Sequence, residues 1–286
     1  MKRTRTPVLL ALTAAVGACL AAGQPDEKLS AASQAAADAR EERIREELAQ
    51  LKGHEWAGEY YWGDGLGVSV TLLAAPKSGF AYRWHGCLGL YDLNYGGVEA
   101  TGARLKLRQE LPNGREHYVG IDSELISVLW GVRHYLIASD KMRAFVHDVN
   151  AGFEPRHEVF GEFLLRRGDE RKATRGAPDI PAEYRNLLLA VPIRTRISSV
   201  GMSRTQGVSG CESKGHVTPV VLNAGSANGV RPGMEFYPFR PAGARWWSVR
   251  VTKVEAGSSV AEVDQCAADA PPSPKWKLST RAPGRH

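Results

Sequence analysis

Val68-Ser69-Val70-Thr71-Leu72 and Phe80-Ala81-Tyr82-Arg83-Trp84-His85 decide the fold. In the first, apolar residues alternate with hydroxylic ones; in the second, large aromatic residues alternate with Ala81, Arg83 and His85. Period two is the mark of a half-buried antiparallel strand. Further runs lie at Glu59–Trp62, Arg104–Leu111, Glu124–Trp130 and Arg133–Ala138, with turn signals at Gly63-Asp64-Gly65, Pro76-Lys77-Ser78-Gly79 and Asn113-Gly114. This spacing predicts an antiparallel meander or small barrel. One helix interrupts it: Asp140 is placed to cap it, Met142, Phe145, Val146 and Val149 follow at i, i+3, i+4 and i+7, and Gly152 stops it. It is expected to close an end or one face of the domain, and a last strand at Glu162–Arg166 to complete it.

Upstream, Asp26 to Leu51 is rich in Ala, Glu and Arg and contains no Gly or Pro, with Leu29, Ala36, Ile44, Leu48 and Leu51 near one helical face. A helix with so thin an apolar stripe reads as a spacer, with a coiled-coil handle as the alternative. Downstream, Gly168 to Pro181 lacks apolar periodicity and reads as a linker. Pro181 opens a short helix through Leu189, and strands resume at Ile193–Val200, Val217–Asn223, Met234–Phe239, Trp246–Glu255 and Ser258–Asp264 before a Pro-rich joint at Ala270–Pro274 and a basic tail. The expected class is mainly β. A signal peptide over 1–18 leads into an N-terminus and helical spacer over 19–52, then an aromatic-rich antiparallel β-domain over 53–168. A linker with a short helix over 169–190 joins this to a small β-barrel over 191–282.

The leader carries Lys2, Arg3 and Arg5, then an uncharged, mostly apolar run from Pro7 to Val16, closed by Gly17 and Ala18. That is the pattern of a secretory signal peptide, too short to cross a ~30 Å hydrocarbon core. The sequence holds 37 Lys+Arg against 31 Asp+Glu; without the leader's three bases this becomes 34 against 31, or +3. So small an excess removes the electrostatic argument for nucleic-acid binding. Val16-Gly17-Ala18-Cys19 resembles the lipobox of bacterial lipoproteins, which implies acylation of Cys19; the alternative is cleavage beyond Ala21 and Gly23 with Cys19 discarded. Leu20 after the cysteine does not resemble an inner-membrane retention signal, and the resemblance implies the periplasmic face of the outer membrane.

Cys211 and Cys266 bracket most of the last third, and in an oxidising periplasm they read as a disulfide. Closing a loop of about 55 residues contributes roughly 4 kcal/mol in the chain-entropy model. Cys87 is then an unpaired thiol.

The stretch Val220-Val221-Leu222-Asn223-Ala224-Gly225-Ser226-Ala227-Asn228-Gly229-Val230-Arg231-Pro232-Gly233-Met234 places glycines where a tight barrel corner needs them. It is similar to the strand, turn and strand of small β-barrel modules in envelope assembly proteins of the MreC or FlgT type. The resemblance covers about fifteen residues; it implies a scaffold or interaction module and no catalytic residues.

Other constellations are weaker. Gly63-Asp64-Gly65-Leu66-Gly67 is followed by a strand, so it reads as a hairpin turn and not as a nucleotide loop. His54-Glu55 and His157-Glu158 begin a zincin pattern, but Gly58 and Gly161 stand at the second histidine position. Gly207-Val208-Ser209-Gly210 lacks the spacing of a nucleophile elbow. His85 and Cys87, two apart on an expected strand, share a face, and an imidazole there activates a thiol. The dense aromatics, Trp62, Phe80, Tyr82 and Trp84 among them, line a core, a ligand cavity or a platform for glycan. Arg104, Lys106 and Arg108 give one strand a basic outer face.

The expected function is therefore that of a non-enzymatic cell-envelope lipoprotein, a binding or scaffolding module whose partners are membrane lipid through Cys19 and envelope proteins or glycan, with no cofactor or metal. The alternatives are a periplasmic carrier of a small apolar ligand in a lipocalin-like first domain, with Trp62, Phe80, Tyr82 and Trp84 in contact, and a cysteine enzyme using His85 and Cys87.

Overall fold

The computed structural model describes residues 30–63, 67–111, 120–154, 163–206, 215–239, 248–266 and 271–283. The leader with Cys19, the Asn113-Gly114 turn, His157-Glu158 and the stretch containing Ser209 and Cys211 lie outside the described residues. Two compact units emerge, one built from the residues up to Ser127 with His134–Ala138 and 163–171, the other from Val128–Arg133, 139–154 and the residues from Lys172 onward.

In the first, the alternating runs become β1 (Gly58–Gly63), β2 (Ser69–Ala75), β3 (Gly79–Gly86), β4 (Gly89–Thr101), β5 (Arg104–Gln109), β6 (Glu124–Trp130), β7 (Arg133–Ala138) and β8 (Phe163–Arg166). They form a closed barrel in sequence order. Closure runs through Tyr60 opposite Arg166 and Tyr61 opposite Leu165. Residues of one parity point inward: Tyr60, Leu72, Ala74, Phe80, Tyr82, Leu105 and Leu107 are buried in one cluster. Strand β4, the longest, has no counterpart among the predicted runs, because Gly89, Gly96 and Gly97 break its apolar alternation.

Residues of the other parity on β2 and β3 would meet water, and a helix covers them. Helix α1 (Ala31–Gln50) starts where Ser30 Oγ accepts from Ser33 N at 3.0 Å. Its Ile44 is fully buried against Leu73, Ala75 and Ala81. Polar groups fix the register: Glu47 accepts from the backbone amides of Lys77 (3.0 Å) and Ser78 (2.7 Å), Arg83 pairs with Asp38 and Glu41, and Arg40 pairs with Glu110 at 2.6 Å. The described part of the expected spacer is thus a wall of the first unit. A thin stripe suffices because it has only one small outer patch to cover.

The second unit contains a 3-10 turn at Ser139–Lys141 and α2 (Met142–Ala151), which ends at Gly152 with φ +80°. Asp140 lies inside the 3-10 turn and Lys141 takes the cap position, a shift of one residue from the expected N-cap. The helix groups with this unit instead of completing the first, and its Phe145 meets Trp130 edge-on at 6.2 Å. Helix α3 (Ala182–Arg185) is four residues long, shorter than expected: Leu187 N and Leu188 N make only three-residue turns onto Tyr184 O and Arg185 O, and then Leu187 O and Leu189 N bond to the Asn150 side chain.

Strands β9 (Arg194–Val200), β10 (Arg204–Gln206), β11 (Gly215–Leu222), β12 (Glu235–Pro238), β13 (Val249–Val254), β14 (Ser259–Cys266) and β15 (Lys277–Ser279) follow. Their order is β10-β11-β14-β13-β12-β15-β9, and β9 also pairs with β11, which closes a second small barrel. Its core holds Ile197, Val220, Leu222, Phe236, Val249, Val263 and Leu278. The Gly225–Gly233 corner is present: Asn228 Oδ1 accepts from Gly225 N at 3.1 Å, and Gly229 and Gly233 take φ of +82° and +83°. Strand β15 falls in the expected basic tail; three residues are too few to show a period.

If α1 is a structural wall, Ile44→Ala lowers the stability of the first unit by about 2–5 kcal/mol in urea unfolding. Glu46→Ala, on the exposed side of the same helix, shifts it by less than about 0.5 kcal/mol.

Candidate functional site

The two ends of the first barrel differ. Where β1 begins, Trp56 is 4 % exposed and plugs the interior. Tyr60 Oη donates to Trp56 O at 2.8 Å, and Arg166 donates to His54 O at 3.0 Å and to Tyr60 Oη at 3.1 Å. Burial pushes the Tyr60 hydroxyl up to about 12, against the pull of Arg166. His54 itself accepts from the amides of Trp56 and Ala57, so this imidazole serves the plug.

Where β1 ends, Trp62, Val70 and Trp84 stand in one row, because Trp62 pairs with Val70 and Val70 with Trp84. All three are half-buried against the interior cluster. Two strand spacings separate the tryptophans by roughly 10 Å. Their Nε1–H groups are both shielded from solvent, and neither has a hydrogen-bond partner among the described residues. A buried unsatisfied donor costs on the order of 1–3 kcal/mol, so a pair in one row calls for an explanation.

Trp84 is held from the next strand. Tyr91 stands edge-on to it at 5.6 Å, and this ring lies across Gly86, where any Cβ would fall 2.0 Å from Tyr91 Cε2. The next residue in the row is Asp92, paired with Trp84 and 2 % exposed; its Oδ1 accepts from Leu93 N at 2.8 Å. Beneath the tryptophans, burial raises the pKa of the Tyr82 hydroxyl, and the carboxylates of Asp92 and Asp122 raise it further. Tyr82 is therefore a neutral donor at any ordinary pH. Phe80 is fully buried and belongs to the packed core.

Of the expected ligand contacts, Trp62, Tyr82 and Trp84 thus meet at one end and Phe80 sits below them. Asp92 and Asp122 were missed; Tyr91 belongs to the dense aromatics of the sequence, but it and Asp92 lie on β4, the strand whose period the glycines hide. His85 and Cys87 do not share a strand face: β3 ends at Gly86, and Cys87 lies in the turn before Gly89, exposed, with Gly67 packed against its sulfur. The basic outer face of β5 is interleaved with acids, since Lys106 pairs with Glu99 on β4 and Glu124 on β6, and Arg108 pairs with Glu99. Among the described residues no cluster of three His, Cys, Asp or Glu side chains has the arrangement of a metal site.

The second unit holds a titratable cluster that period-based reading does not reveal. His147 Nε2 lies 2.6 Å from Tyr237 Oη and 3.3 Å from Glu235 Oε2. Burial opposes ionisation of Glu235, but His147, Ser248 and Arg250 outweigh it and bring the carboxyl down to about 2. Neighbouring Asp148 goes the other way: burial lifts its carboxyl to about 6, with Glu235 adding to the rise and His147 opposing it. Folded Asp148 thus holds its proton where the unfolded chain has lost it. The resulting stability is complete below about pH 4 and lost as pH rises through 6. Asp148→Asn is expected to raise stability by about 1–3 kcal/mol at pH 8 and to leave it unchanged near pH 4, read from unfolding midpoints at the two values.

No protein-family model matches the chain, and the comparisons with curated proteins and with solved structures found no match.

Proposed function

We propose that this chain is a non-enzymatic binding module of the bacterial cell envelope, anchored by lipid on Cys19 and facing the periplasm from the outer membrane, and that it binds through the tryptophan end of its first barrel. The observation that carries the reading is the pair of buried indole N–H groups of Trp62 and Trp84, which stand in one row without a hydrogen-bond partner among the described residues, at one end of a barrel whose other end Trp56 plugs. A ligand that supplies two acceptor oxygens and a ring face satisfies both donors and covers half-exposed indole surface. A sugar unit is the simplest molecule with that combination, and envelope glycan is accordingly the partner class we favour.

The carrier alternative is less well supported. A lipocalin-like carrier needs an enclosed volume, whereas Tyr60, Leu72, Phe80, Leu105 and Leu136 pack the interior. The cysteine-enzyme alternative has lost the shared strand face on which it rested. For the second barrel, we propose the Cys211–Cys266 disulfide; Cys266 ends β14 opposite Gly215, four residues beyond Cys211 in the chain.

Titration of the protein's tryptophan emission with soluble peptidoglycan fragments tests the site. A saturable change is expected, and Trp62→Phe or Trp84→Phe, which keeps a ring and removes the donor, weakens binding about two- to tenfold. Unchanged emission across the fragments, or variants that titrate like the parent, would overturn the reading. Intact mass of the protein from Gram-negative membranes tests the anchor separately: a diacylglyceryl or triacyl adduct on Cys19 is expected, and an unmodified chain starting near Gln24 removes the anchor without touching the barrel site.

A further inference from the structure

The second unit contains a pocket of about 500 Å3, within the range that holds small ligands. Trp130, Phe153, Leu188 and Pro192 supply its apolar wall. Side chain to backbone bonds make that wall a built one. Trp130 Nε1 donates to Gly176 O at 2.9 Å, and Asn150 bridges Leu187 O and Leu189 N, both at 2.9 Å. Ala282 N donates to Ala151 O at 3.0 Å and brings the last described segment to the rim.

Two charged side chains line the pocket, and they differ in how they are matched. Glu154 is bound by the buried Arg133 at 2.6 Å and accepts from Thr174 Oγ1 at 3.1 Å, so its charge is already answered. Arg281 has no carboxylate partner among the described residues. Its guanidinium lies against Gly152, where a Cβ would come within 3.1 Å of Cζ and Nη2. This places a cation beside the carbonyl end of α2, a favourable position for it, and leaves its remaining donors to the pocket.

We infer that this pocket is a second binding site, for a small apolar monocarboxylate whose carboxylate pairs with Arg281 and whose hydrocarbon or aromatic body lies against Trp130 and Leu188. The site is independent of the barrel end: no residue is shared, and neither reading needs the other. A guanidinium supplies two parallel donors to a carboxylate, which an alcohol of the same shape cannot engage. The neutral counterpart gains the apolar contact alone.

Calorimetric titration of the mature protein with decanoate and 3-phenylpropanoate, against decanol and 3-phenylpropanol, tests this. At least one acid is expected to bind in a 1:1 ratio about tenfold or more tightly than its alcohol. Arg281→Gln brings that acid down to the level of the alcohol, and Arg281→Lys recovers part of the difference. Leu188→Trp, which fills the pocket from its wall, weakens acid and alcohol together. The Trp62→Phe/Trp84→Phe double variant leaves acid binding unchanged. Acids and alcohols that bind alike, acids weaker than about 1 mM, or an Arg281→Gln variant that binds the acid like the parent would each overturn the site. Loss of acid binding in the double tryptophan variant would assign it to the first barrel instead.

Discussion

Everything in the first unit depends on a sheet closing on itself through residues more than a hundred positions apart, Tyr60 and Tyr61 against Arg166 and Leu165. A closed sheet has no edge to protect and has an inside and an outside along every strand. The inside must be filled with side chains, and Tyr60, Phe80 and Leu72 do so. The outside must be polar or covered, and α1 covers the one patch where Leu73, Ala75 and Ala81 are too apolar to face water. The same pairing also brings Arg166 onto Tyr60, so the residues that close the sheet help plug its end.

A barrel built this way has two ends that its strands do not fill, and here they have been treated differently. One is satisfied by Trp56, His54, Tyr60 and Arg166, whose polar atoms pair among themselves. At the other, two tryptophans hide their N–H groups without pairing them among the described residues. Protein interiors rarely leave donors in that state. The contrast within a single barrel is what supports the proposal of a site at the tryptophan end, since the same fold shows at its other end how such groups are ordinarily answered.

The β class, the strands flanking the decisive stretch and the glycine corner of the second barrel were legible because each is written locally, in a period of two or in a turn residue. Phe80, Tyr82 and Trp84 were legible as one face of a strand for the same reason. Strand β4 was not, because Gly96 and Gly97 contribute no side chain to a period, and with it went Asp92 and the place of Tyr91. The place of α1 was also hidden: its stripe states that something is covered but not what. The pairing of His147 with Glu235 and Tyr237, and the place of Arg281 at the end of α2 with no carboxylate partner among the described residues, arise from segments that meet only in three dimensions, and a single sequence carries no mark of such meetings.

The second barrel closes through β15, a strand of three residues placed between β12 and β9 and the last in order among those described. Until Lys277–Ser279 is laid down, β9 and β12 each present an unpaired edge, and Ile197 and Phe236 lack the cover of Leu278. A chain that emerges amino end first therefore carries a nearly complete but open sheet from the end of β14 until β15 is laid down. Open edges are templates for pairing with other chains. This small strand thus sets the moment at which the protein stops being a hazard to its neighbours, and a tag or truncation at that end acts on assembly before it acts on any binding site.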